Sequence, residues 1–248
     1  MANYNLKEKV TLNGRTFFVM RVKAENIELR NFGYHGSTDL KTLTEAGVIG
    51  MNGCFFGINL YNGRSTLNNI VYQGGKPLGS LIDDSDVAEN KVGTAVIYWT
   101  GTVLHYNDSV HKIEDFTMPT ARDSWIQGGI GLYFGKNNWE TLMRDSMGES
   151  GSNLRQAAYR TAMVADIGQK DVYLMAWPED EITFGELRED IFSYFGITES
   201  TSSAYEGITL DGGGSTQIRG YDELGINGIE APSPGRKVPQ VIVNTYYR

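Results

Sequence analysis

The run Leu-Asp-Gly-Gly-Gly-Ser-Thr at residues 210–216 holds the densest chemistry in this 248-residue chain. Three successive glycines after an apolar, β-rich run leave no side chain between the backbone and a ligand, and successive N–H groups can form an anion-binding nest. Asp211 ahead of them adds a carboxylate, and Ser215 and Thr216 after them add two hydroxyls. A flexible hairpin loop is the alternative reading of the same composition. The run is not a Walker loop, which ends in Gly-Lys-Ser/Thr, nor a dinucleotide-binding fingerprint, whose glycines are spaced differently and open a helix.

Other reactive residue types offer less. The single cysteine, Cys54, excludes an intramolecular disulfide and a cysteine-rich zinc site, and with no local His or cationic partner it reads as a buried structural thiol. His35, His105 and His111 show neither metal-ligand nor catalytic-triad spacing and read as surface or satisfied polar residues. Asp83, Asp84 and Asp86 lack the spacing of a calcium loop and read as solvated. Trp125, Trp139 and Tyr133 could stack on a sugar, but core packing is the simpler role. A net charge of −8, without any basic run, argues against polymeric nucleic acid and leaves a small phosphorylated ligand open.

The elements that position this chemistry read as mostly β. Thirty glycines against six prolines indicate many tight turns, and the aromatic content suits pleated surfaces. Residues 8–30 predict an opening hairpin around Asn13-Gly14, a pair suited to a type I′ turn. Residues 39–46 predict a short helix capped by Asp39, ended by Gly47 and followed by a buried strand through MNGCFF. Residues 57–90 read as hairpins and loops, and residues 93–106 as two strands around a Thr-Gly turn. Residues 124–137 contain a Gly-Gly break between apolar runs. Residues 138–156 are polar enough to predict a mobile loop. Residues 159–178 predict two strands joined at Gly168-Gln169-Lys170. Residues 183–196 predict the clearest helix, with Phe184, Leu187, Ile191, Phe192 and Phe195 on one face. A strand leads into 210–216, another leads out, and residues 237–248 close the chain as a strand. The fold class expected is α+β: one domain of mixed, mostly antiparallel sheets with a few flanking helices. Residues 1–44 form its N-terminal hairpin and short helix. The N-terminus shows no apolar leader and the chain no run near 20 apolar residues, so neither a signal peptide nor a membrane span is expected. A soluble protein, cytoplasmic or carried in a phage or other large assembly, fits.

The ordered series MNGCFF (51–56), IQGGIGL (126–132), YRTAMV (159–164), the helix with Glu186-Leu187, LDGGGST and a C-terminal arginine before a strand resembles the phosphodiester glycosidase family. The resemblance covers about residues 45–248, and LDGGGST is its most specific part. Cys54 stands where the family has glycine, the stretch between helix and glycine run is longer, and the tail matches loosely. The resemblance implies a hydrolase that cleaves the glycosidic bond of a sugar-1-phosphodiester or related phosphate-linked glycoside. It implies one pocket lined by Asn52, Arg160, Asp211 and Ser215 as catalytic residues, with Gly212, Gly213, Gly214, Thr161, Thr216 and Arg236 binding substrate. Asp211 would stabilise oxocarbenium charge, while the arginines and the 212–214 amides meet the departing phosphate. Glu186 reads as a helix-dipole residue and Asp166 as a reserve acid. No cofactor is required. A divalent cation stays open, because an oxygen-only site at Asp211 and Asn52 leaves no sequence signature. A non-catalytic carbohydrate- or phosphate-binding module, and cleavage of a nucleotide-derived signalling molecule, are the alternatives.

Overall fold

Side-chain alternation along single strands sorts the core into layers. The computed structural model describes residues 6–32, 40–58, 65–78, 95–108, 117, 119–147, 154–198, 204–232 and 235–247. Strands β1 (Lys7–Leu12) and β2 (Arg15–Lys23) form the expected hairpin, with Asn13 and Gly14 at φ 51° and 75°. After β3 (Ile27–Asn31) come helix α1 (Leu43–Ala46) and strands β4 (Gly50–Asn52), β5 (Phe56–Ile58), β6 (Ser65–Leu67), β7 (Val71–Gln73) and β8 (Lys76–Pro77). Next are β9 (Ala95–Trp99), β10 (Leu104–Asn107), β11 (Trp125–Gly131), helix α2 (Trp139–Met147), β12 (Ala158–Asp166) and β13 (Asp171–Ile182). Helix α3 (Phe184–Phe195) and strands β14 (Tyr205–Thr209), β15 (Ile218–Tyr221), β16 (Asn227–Glu230) and β17 (Gln240–Asn244) complete the order.

A ten-stranded sheet runs β1-β2-β13-β12-β14-β11-β7-β8, with β9 and β10 joined through β11; a five-stranded sheet runs β16-β15-β4-β17-β3. Every strand pair among the described residues is antiparallel, so the expected α+β class holds. Phe18, Met20 and Val22 of β2 with Met163 of β12 and Leu174 of β13 meet Leu29, Met51, Ile218 and Ile242 of the smaller sheet in one core. The alternate residues Phe17, Val19, Ala162, Val164, Met175 and Trp177 face the other way, against Phe184, Leu187 and Ile191 of α3 and Met143 of α2. This is the period of two that a strand buried on both faces must show. Leu43 of α1 covers Val241 and Val243 on the outer face of the smaller sheet. Each fully buried side chain of this kind contributes on the order of 2 kcal/mol.

Helix α3 begins and ends where its sequence predicts. Thr183 and Glu186 form a capping box, and Gly196 closes the helix in the left-handed conformation. Periodicity alone does not explain the burial of Arg188 and Asp190. Asp190 accepts from Arg15 (2.6 Å), Trp177 Nε1 (3.0 Å) and Asn13 (2.9 Å), which fastens the helix to the β1–β2 turn. Arg188 donates to the Leu132 carbonyl and lies 4.6 Å from the Trp139 ring centroid, which fastens it to α2.

Three expectations need correction. Residues 139–147 form α2 rather than a loop, because Met143 enters the core and Trp139 and Leu142 pack against it. Strand β11 passes through Gly128-Gly129 without a break: a Cβ at Gly128 would lie 2.8 Å from the Ile70 carbonyl oxygen, and one at Gly129 2.5 Å from that of Thr209. The glycines admit neighbouring backbone instead of ending the strand. Helix α1 starts after Thr42, whose hydroxyl accepts from Glu45 N–H while the Glu45 carboxylate accepts from Thr42 N–H. The expected cap, Asp39, lies outside the described residues. Among the described residues no helix is long and apolar enough to cross a membrane.

Thr183→Ala removes the hydroxyl half of the α3 cap and is expected to lower unfolding stability by about 1 kcal/mol, seen as a lower urea midpoint at unchanged slope. An unchanged midpoint would show that the cap carries no stability.

Candidate functional site

Asp211 is fixed first through its backbone. Its N–H donates to the Gly53 carbonyl (3.1 Å), and the preceding Leu210 N–H donates to that of Thr161 (3.1 Å). Its own carbonyl accepts from Asn52 Nδ2 (2.8 Å) and Thr161 Oγ1 (2.7 Å). Asn52 Oδ1 accepts from Gln217 N–H (2.9 Å), so one buried amide holds the chain on both sides of the glycine run. Asn52 and Thr161, expected to line the pocket, are both fully buried and bonded to backbone.

Residues 213–215 form a 3-10 turn closed by Ser215 N–H to Gly212 O (3.2 Å) and Thr216 N–H to Gly213 O (3.1 Å). The N–H groups of Gly213 and Gly214 take no part in these two bonds. Gly212 lies flat on β12: a Cβ there would be 2.5 Å from the Tyr159 carbonyl oxygen and 3.7 Å from Arg160 Cα. Sheet pairing is irregular at this crossing, because Ala158 opposes Ile182 while Arg160 opposes Trp177. Residues 178–181 therefore face Tyr159 alone, and Pro178, which has no N–H to donate, falls in that irregular stretch. Gly213 has φ 58°, and Gly214 O accepts from Arg236 N–H (2.8 Å), which brings the C-terminal arginine to the turn.

Among the described residues, three buried side-chain polar atoms without a hydrogen-bond partner, Asp211 Oδ2, Ser215 Oγ and Thr216 Oγ1, lie within these six consecutive positions. Native interiors satisfy nearly all such atoms, so this concentration marks a place built for polar company. Although the Asp211 residue as a whole keeps partial exposure, Oδ2 is enclosed. Burial pushes its carboxyl up to about 6. The Ser215 hydroxyl, the Arg236 charge and the Gly212 N–H work the other way; Ser215 is near enough to favour the carboxylate although no bond of good geometry closes. Burial, then the charge of Asp211, raises the neighbouring Cys54 thiol, which stays protonated and structural as its sequence context predicts.

The two arginines occupy different places. Arg160 donates to the carbonyls of Ile182 (3.1 Å) and Gln156 (2.7 Å) and lies 3.8 Å from the Phe184 ring centroid. Burial pulls it down to about 10, still cationic at neutral pH, and no carboxylate among the described residues pairs with it. The cation that acts on Asp211 is Arg236, which also lies 4.9 Å from the Phe56 ring centroid.

Beneath the site runs an amide network that sequence reading passes over. Gln240 Oε1 accepts from Cys54 N–H (2.7 Å), and Gln240 Nε2 donates to Gln127 Oε1 (3.1 Å); a Cβ at Gly53 would lie 1.4 Å from Gln240 Oε1. Gln217 accepts from Leu43 N–H (3.1 Å) and donates to Arg236 O (2.5 Å). The available signal was an amide inside an apolar strand, as in Ile126-Gln127 and Gln240-Val241.

The remaining candidates lie elsewhere. Glu186 is occupied by its cap, which lowers its carboxyl, and Asp166 accepts from Gln169 N–H at the far end of β12. His105 stacks on Tyr98, Trp125 donates from the core to Ala24 O, and Tyr133 bonds Ser146. His35, His111, Asp83, Asp84 and Asp86 lie outside the described residues. Among the described residues no three His, Cys, Asp or Glu side chains gather as metal ligands would. Two surface cavities, of about 420 and 220 Å3, are lined by other residues than Asp211 and its neighbours.

No protein-family model and no curated protein matches the sequence. Among solved structures, the catalytic domain of zebrafish N-acetylglucosamine-1-phosphodiester alpha-N-acetylglucosaminidase, auto-inhibited by its pro-peptide, is similar in fold. Its TM-score is 0.56 at 14% identity, over 98% of this chain and 85% of that one. A hypothetical protein from Synechocystis aligns over 96% of this chain and 61% of its own, at 13% identity and TM-score 0.47. A Burkholderia pseudomallei protein aligns over 92% and 73%, at 11% and 0.47. The likeness is one of fold.

The raised Asp211 value fixes the sign of a stability effect. The folded chain holds this proton where the unfolded chain releases it, so the contribution is complete below about pH 4 and is lost as pH rises to about 6. Asp211→Asn is expected to match the parent near about pH 4 and to exceed it by on the order of 2–3 kcal/mol near about pH 7.5, measured by urea unfolding. Equal stability at both pH values would show that the carboxylate is not buried at a cost.

Proposed function

We propose that the chain hydrolyses the C1–O bond of a sugar-1-phosphodiester or a closely related phosphate-linked glycoside, releasing free sugar and a phosphomonoester. The observation that carries this reading is the enclosed Asp211 carboxyl, on a residue whose backbone carbonyl is clamped by Asn52 and Thr161, beside orphaned hydroxyls and Arg236. Similarity in fold to the zebrafish domain supports it.

In this reading the chemistry divides by charge. As the C1–O bond lengthens, positive charge grows on the sugar ring, and the Asp211 carboxylate, the major form above about pH 6, offsets it. The Ser215 hydroxyl favours that ionised form. Negative charge collects on the departing phosphate, which needs no proton to leave; Arg236 and the N–H groups of Gly213 and Gly214 receive it. Asn52 and Thr161 act as positioning residues, because their side chains hold the Asp211 carbonyl. Arg160, whose Cα lies under Gly212, ties the Gln156 carbonyl ahead of β12 to the Ile182 carbonyl of β13, and Thr216 completes the turn. Gly212 must stay glycine to make that contact.

Incubation with methyl-phosphate diesters of several sugars is expected to release sugar and methyl phosphate in equal amounts, with kcat/KM rising with pH through about 6 as Asp211 ionises. Asp211→Asn should lower kcat by about 10²–10³-fold or more, and Arg236→Ala should cost more than Arg160→Lys. Unaltered activity in a folded Asp211→Asn protein sinks the assignment. A binding module without turnover is the second reading: the Ser215 and Thr216 side chains are fully enclosed, which leaves the exposed Gly214 backbone and Arg236 to meet a phosphate without reaction. Calorimetry showing stoichiometric binding of intact diester, with no sugar released over hours, would establish it instead.

A further inference from the structure

The helix-bearing face of the large sheet carries a cavity of about 420 Å3 that the proposed reaction does not use. Four rings line it, Tyr173, Tyr194, Phe195 and Tyr205, with Glu8 and Glu223 alongside. Phe195 is the centre of the ring set. Tyr173 and Tyr194 meet it edge-on, with centroids 4.7 and 4.8 Å away and planes at 80° and 89°, and Tyr205 leans on it at 4.6 Å and 33°. Tyr173 and Tyr194 stand near right angles to Phe195, a boxed corner of packed rings rather than the single flat platform on which a sugar stacks.

The electrostatics of this box favour a positive guest. Ring faces carry negative quadrupole potential, Glu8 and Glu223 add two carboxylates, and Tyr194 O–H donates to Glu8 (3.3 Å). Helix α3 ends at Phe195 with no basic residue in its last turn, so its partial negative charge falls beside the cavity. Arg21 also lines the cavity, but its guanidinium is tied to the buried Asp171 carboxylate, which also pairs with Lys23. Arg21 lies 5.6 Å from the Tyr173 ring centroid, so one of these rings already faces a cation. Asp166 adds its charge near Tyr205. Glu8 and Glu223 thus line the box with Arg21 as its one basic lining side chain, and the Asp171 carboxylate offsets that charge. The volume falls within the range of small-molecule sites, about 300–1,000 Å3, and exceeds what a bare metal ion needs.

We propose that this cavity binds a quaternary ammonium group, the trimethylammonium head of a small solute or a lipid. The methyl groups spread the charge over a surface that ring faces cover without hydrogen bonds, and the two glutamates supply long-range attraction. Charge, rather than size or apolarity, selects the guest.

Choline chloride titrated into the full chain, with the tyrosine ring resonances followed by NMR, tests this. Its uncharged isostere 3,3-dimethyl-1-butanol and free N-acetylglucosamine serve as comparison ligands, and phosphatidylcholine vesicles separate a lipid head from a free solute. Saturable binding of choline or of the vesicles is expected, with the isostere weaker by about tenfold or more. Glu8→Gln with Glu223→Gln, exposed changes that spare the rings, should weaken choline by about tenfold at unchanged thermal midpoint. Tyr205→Ala should abolish it. Equal binding of choline and the isostere, preference for the sugar, or no binding of either trimethylammonium probe overturns the proposal.

Discussion

Two donors on one carbonyl oxygen organise this molecule. Asn52 on β4 belongs to the smaller sheet and Thr161 on β12 to the larger, and both bond the Asp211 carbonyl at the point where the chain leaves β14. The contact therefore joins the two sheets through the backbone of the proposed catalytic residue. Removing either donor leaves polar groups unpaired in the interior, a cost of about 1–3 kcal/mol each, so site geometry and fold stability are coupled here. The amides of Gln240 and Gln127 extend the same logic below, because they hold the Gly53-Cys54 turn whose carbonyl receives Asp211 N–H.

A rigid floor lets the carboxyl above it stay under-satisfied. Asp211 sits where burial opposes its charge, with only Ser215, Arg236 and one backbone N–H in compensation. Such a group destabilises the folded chain at neutral pH, and proteins retain it where its function requires it. Neighbouring Ser215 and Thr216 share the condition, each with a buried hydroxyl lacking a partner. The glycines between them keep bulk away, so backbone alone separates Asp211 from the pair.

Legibility in the sequence followed the range of the forces involved. The β1–β2 hairpin and α3 could be read because turn chemistry and capping are local: Asn13-Gly14 fixes one, Thr183 with Glu186 and Gly196 fixes the other. LDGGGST marked the candidate site for the same reason, because its residue types and spacing are local. Helix α2 was hidden because its polar sequence is held by distant partners, Arg188 on α3 among them. The Gly128-Gly129 pair misled because its purpose, room for the backbone at Ile70 and Thr209, depends on strands far along the chain. Resemblance ranked Arg160 above Arg236, yet the side chains diverge, and the cation acting on Asp211 arrives from the C-terminal segment. Gln240, Gln127 and Gln217 were missed: an amide inside an apolar run hints at burial, but the partners that give it a role lie far along the chain.

In the proposed reaction the bond breaks at carbon rather than at phosphorus, with Asp211 meeting charge on the sugar. Hydrolysis of a sugar-1-phosphodiester in water enriched in oxygen-18, with mass analysis of both products, decides this directly. Label in the C1 hydroxyl of the released sugar and none in the phosphomonoester is the predicted result. Label in the phosphate would contradict it, and would place the chemistry at phosphorus with Arg236, not Asp211, at its centre.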